Sequence, residues 1–129
     1  MYASGLVVAG FVRRYRPIRL LGMLLLLRSW SLSLGASLFA SLAFIWWPHL
    51  IGMMEAGHNS KLQTILCIPI VLYLFLRLLK KANLLNFALF TISMSIAVRA
   101  GHYQIVFYLG LALAFFGAVK IVQMILNKE

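Results

Sequence analysis

Three histidines and one internal glutamate are the groups in this sequence suited to proton transfer near neutral pH: His49, Glu55, His58 and His102. A positioned imidazole or carboxylate is what general acid–base catalysis uses. Imidazole also binds zinc, copper, iron or haem iron. Their spacing matches no compact metal motif, and a lone internal acid supplies no carboxylate pair. The chain has no aspartate to orient a histidine, no GxSxG around any serine and no glycine-rich phosphate loop. A single cysteine, Cys67, excludes an internal disulfide and a CxxC redox pair. The expectation is therefore a protein that is not an enzyme, with no catalytic residue, metal site or resident cofactor. His49, His58 and His102 are the residual candidates for binding haem or a metal.

Two polar patterns recur at helical spacing. Ser29, Ser33, Ser37 and Ser41 stand four residues apart, which places them on one face of a continuous helix. Gly110, Ala114 and Ala118 repeat that spacing near the C-terminus. In lipid, rows of small residues let helix backbones approach closely, so both rows read as packing seams in preference to a polar path. Asn83, Asn86 and Ser93 recur near heptad spacing and should share a face turned toward protein. Near the N-terminus, Arg13, Arg14, Arg16, Arg19 and Arg28 form a basic cluster fitted to an anionic lipid leaflet or an acidic partner.

The elements carrying these residues follow from composition. The 129-residue chain is 64% hydrophobic and only 11% charged, against roughly 25% charged in soluble domains. Its mean hydropathy is +0.98. Twelve cations face two acids, a net charge of +10. In a soluble chain that balance suggests nucleic acid. Here the cations flank long apolar runs, so orientation in a membrane explains them and no nucleic-acid partner is expected.

Residues 1–28 read as a basic, partly amphipathic interfacial segment, because neither of its apolar runs reaches the about 20 residues a crossing needs. A first membrane helix starting at Pro17 is the competing reading. The arginines follow the first apolar stretch, so the segment does not read as a cleaved signal peptide. Residues 29–129 read as a four-helix transmembrane domain, with spans near 29–50, 63–79, 83–99 and 103–126. Trp46, Trp47 and His49 mark the far interface of the first span, and residues 51–62 form a polar loop. Pro69 is expected to bend the second span.

With both termini inside, ten cations fall on the inner side (Arg13, Arg14, Arg16, Arg19, Arg28, Arg77, Lys80, Lys81, Lys120 and Lys128) and two, Lys61 and Arg99, on the outer. Reversing the threading inverts the bias, so the positive-inside rule selects N-in and C-in. The fold expected is an all-α, multi-pass membrane bundle. Its expected location is a bacterial cytoplasmic membrane, with an organellar inner membrane as the alternative.

No Asp or Glu lies in the middle of a span, which argues against a proton-coupled or cation exporter. The function expected is an accessory, structural or assembly subunit of a larger membrane complex. Its partners would be lipids, other membrane subunits or further copies of the chain. A small transporter, pore or lipid-handling protein is the first alternative, and a haem- or metal-binding anchor the second.

Overall fold

A computed structural model describes residues 20–127, with only the backbone described at positions 51, 54, 55 and 59. Arg13, Arg14, Arg16 and Arg19 of the basic cluster lie outside the described residues. The described residues are helical throughout, without a strand: α1 (Leu20–Ser29), then α2 (Leu34–Ile45), α3 (Pro48–Glu55), α4 (Asn59–Lys80), α5 (Leu84–Arg99) and α6 (Tyr103–Leu126).

The expected span at 29–50 is not one helix. Ser29 closes α1, and Ser31 adopts the left-handed conformation (φ 63°) that commonly terminates helices. Ser33 then starts α2 as its N-cap, its side-chain oxygen accepting the Ala36 N–H at 3.3 Å. Serine competes for backbone partners in a helix interior but satisfies them at a cap, which is the local reason for the break. At the other end Pro48 supplies no N–H and disfavours helical backbone at Trp47, so α2 stops at Ile45 and α3 begins on the proline. Twelve residues of α2 reach only about 18 Å, well short of a ~30 Å hydrocarbon core.

Residues 51–62 are likewise mostly helical instead of a loop. Helix α3 runs to Glu55, and α4 starts at Asn59 after a turn at Gly57 (φ 75°). Helix α4 continues unbroken through the buried Pro69, although that residue gives the Ile65 carbonyl no donor. Helices α5 and α6 occupy their expected ranges to within a residue. Asn83 caps α5 by accepting the Asn86 N–H at 2.8 Å, and Gly101 (φ 85°) turns the chain into α6.

Helix α4 is the hub. Val71 of α4 packs with Ala97 of α5 and with Leu109 and Leu113 of α6, flanked by Cys67, Phe75, Phe90 and Met94. The rings of Phe75 and Phe90 lie 5.6 Å apart. Pairing Phe75 with Phe90 and Val71 with Ala97 makes α4 and α5 antiparallel. The short turn at residues 100–102 reverses the chain again, so α6 runs parallel to α4, with Gly117 beside Phe75. A second cluster, Leu50, Leu62 and Leu66 with Phe44, ties α2 and α3 to the first turns of α4.

Helix α1 reaches the same hub. A Cβ added at the buried Gly22 would stand 3.0 Å from Ile70 Cβ, so the α1 backbone passes directly over the middle of α4. Leu26 and Leu27 are buried as well. Of the four expected crossings, two correspond to helices long and apolar enough to cross a membrane, Ser60–Lys80 and Tyr103–Leu126; the remaining described helices are shorter.

Candidate functional site

The histidines stand at helix starts, each in a different setting. His49 is exposed in the first turn of α3, its ring 5.6 Å from that of Trp47. His58 precedes α4 as an exposed N-cap residue without a side-chain capping bond; its N–H donates to the Met53 carbonyl at 3.0 Å. His102 occupies the same position before α6 and is half-buried. Its carbonyl accepts the Ile105 N–H, while its enclosed Nδ1 has no hydrogen-bond partner. Among the described residues, no three of His, Cys, Asp and Glu are grouped so as to hold a metal ion.

The serine row is divided between two helices by the turn at Ser31. Ser29 lies in the last turn of α1 and donates to the Leu26 carbonyl at 2.6 Å; Ser33 is a cap. Only Ser37 and Ser41 form a seam, both fully buried in α2. Their hydroxyls donate back to the Ser33 and Ser37 carbonyls at 2.9 and 2.6 Å. Thr64 of α4, also fully buried, does the same toward Ser60 at 2.9 Å. With donors spent inside their own helices, these residues contribute small size to packing. Gly35 and Ala36 face outward.

On α6 the row turned toward the core is Leu109, Leu113 and Gly117. Ala114 and Ala118 are exposed, and a Cβ at Gly110 would meet nothing within 4 Å. The small-residue row therefore lies on the outside of the fold. Of the asparagine–serine face of α5, Asn86 and Ser93 are buried, and Asn83 serves as the cap. Asn86 donates from Nδ2 to the Lys81 carbonyl at 2.7 Å and leaves its buried Oδ1 unpaired.

Arg28, the one cluster arginine among the described residues, is exposed and closes the α1–α2 turn, its Nη1 donating to the Leu32 carbonyl at 2.9 Å. A cation near a helix C-terminus also suits the carbonyl end of the helix dipole.

One surface feature escaped the sequence reading. A shallow open groove of about 470 Å³ lies along α5, lined by Phe90, Thr91, Met94, Ser95, Val98 and Arg99. The exposed Thr91 and Ser95 donate to the Phe87 and Thr91 carbonyls at 2.9 and 2.8 Å, so the groove wall is chemically close to apolar. The spacing of Thr91, Ser95 and Arg99, four residues apart, is the sequence signal that could have found it. No protein-family model, curated protein or solved structure matches the chain.

Proposed function

We propose that this chain is a small multi-pass membrane protein that works as an accessory or assembly subunit, contributing helix surfaces and no chemistry of its own. The observation carrying the reading is α6. Its 24 residues form an apolar helix of which only 17% of the most hydrophobic stretch is buried within the protein. The core helix of a soluble protein is mostly buried, so a surface this apolar calls for lipid or another apolar helix. Helix α6 also has two faces of different use. Leu109, Leu113 and Gly117 meet α4 and α5, while Gly110, Ala114 and Ala118 stand outside with the small side chains that favour close helix contact.

The test is purification of the full chain in mild detergent beside the variant Gly110→Leu. A Cβ at that position meets nothing within 4 Å, so the added side chain starts outside the core row of α6. The expected result is a stoichiometric assembly with a membrane protein or a further copy, lost in Gly110→Leu with the helical signal intact. A stable lone monomer in the wild type would defeat the proposal.

A further inference from the structure

We propose that the α5 groove is a binding site for a single anionic phospholipid, with an acyl chain along Phe90, Met94 and Val98 and its phosphate on Arg99. This rests on the membrane reading above and adds a ligand to it. From Phe90 to Arg99 the groove follows about 14 Å of helix at the α-helical rise. That nearly equals one leaflet of a ~30 Å hydrocarbon core. Its volume of about 470 Å³ falls within the range of ligand sites.

The chemistry changes along this length as a lipid's does. Phe90, Met94 and Val98 are apolar, and the hydroxyls of Thr91 and Ser95 are bound to their own backbone. Arg99 follows in the last turn, exposed, its guanidinium without a hydrogen bond or ion pair among the described residues. Neither α5 nor α6 contains an acid to compete for it. A guanidinium presents a planar fork of donors that matches two phosphate oxygens. A second copy of this chain in the groove would leave that cation facing a sequence with two acids in all, whereas an anionic lipid meets both ends at once.

The experiment reconstitutes the full chain in vesicles of equimolar phosphatidylglycerol and phosphatidylcholine, then reads retained lipid by native mass spectrometry. Wild type should retain phosphatidylglycerol about fivefold over phosphatidylcholine, the factor expected of one cation at an anionic headgroup. Arg99→Gln should erase the preference, Arg99→Lys should keep part of it, and Ser95→Phe, which fills the groove, should remove both lipids. Lys61→Gln, on α4, should match wild type. The proposal is overturned if Arg99→Gln keeps the preference, if wild type retains no lipid, or if Ser95→Cys cross-links two copies through the groove. Flotation separates the two readings. A chain that floats with no vesicle fails as a membrane protein, whereas one that floats without a lipid preference fails only here.

Discussion

Gly22 and Gly117 each lie against a neighbouring helix, and the same substitution should act oppositely at the two. Alanine in place of glycine inside a helix gains about 1 kcal/mol of propensity. At Gly22 the new Cβ would sit 3.0 Å from Ile70 Cβ and 3.2 Å from Ile70 N, atoms fixed to the α4 backbone. Overpacking of that kind costs roughly 1–3 kcal/mol, so the clash outweighs the gain and Gly22→Ala should lose up to about 2 kcal/mol. At Gly117 the obstacle is Phe75 Cζ at 3.2 Å, the tip of a ring that can tilt by a few tenths of an ångström. Gly117→Ala should therefore unfold at no lower a temperature than wild type. Thermal unfolding followed by circular dichroism in detergent checks both. Equal losses would mean that α1 does not press on Ile70 more rigidly than Phe75 meets α6.

Short helices owe their limits to single caps, and α2 offers the clearest case. Its start depends on Ser33, whose side chain accepts the Ala36 N–H. Losing an N-cap serine costs about 1 kcal/mol. Ser33→Ala should speed hydrogen exchange at the Ala36 and Ser37 amides several-fold while leaving those of α4 unchanged; unaltered exchange would show that packing alone holds the first turn. The same serine shows where sequence reading stopped. Helices α5 and α6 were legible because long apolar runs end at Asn83, Gly101 and Asn127, residues that cap or turn a chain. The α1–α2 turn was not, because serine at four-residue spacing fits a continuous helix as well as a cap between two. Trp46 and Trp47 read equally well as interfacial anchors, which hid the break that Pro48 imposes. On α6 the Gly110–Ala114–Ala118 row stood out by its small residues, while Leu109, Leu113 and Gly117, equally spaced, form the row that the structure buries. In lipid both are acceptable surfaces, so nothing local said that the second meets α4. Of the histidines only His102 was legible at a helix start; His49 read as the end of a span and His58 as part of a loop, because the break at Pro48 and the helix starting at Asn59 were not.

At the scale of the molecule, helix directions sort the described charges. With α5 antiparallel to α4, Lys61 at the start of α4 and Arg99 at the end of α5 lie toward one end of the α4–α5 pair. Arg77, Lys80 and Lys81 lie toward the other, joined by Lys120 because α6 runs parallel to α4. If the chain spans a membrane as proposed, this bias predicts the richer end on the cytoplasmic side. Replacing Cys67 with alanine clears the chain of its only thiol, and single cysteines then report sidedness. In intact cells a membrane-impermeant maleimide should label Lys61→Cys and Arg99→Cys, and should label Lys81→Cys only after permeabilisation. The reverse pattern would invert the orientation. Labelling of all three in intact cells would mean that α4 does not cross. A chain that separates Lys61 from Lys81 across a bilayer must span it with α4, because the residues joining them are that helix and little else. The same experiment therefore tests the crossing and its direction through one continuous element, independently of how α1 and α2 lie beside it.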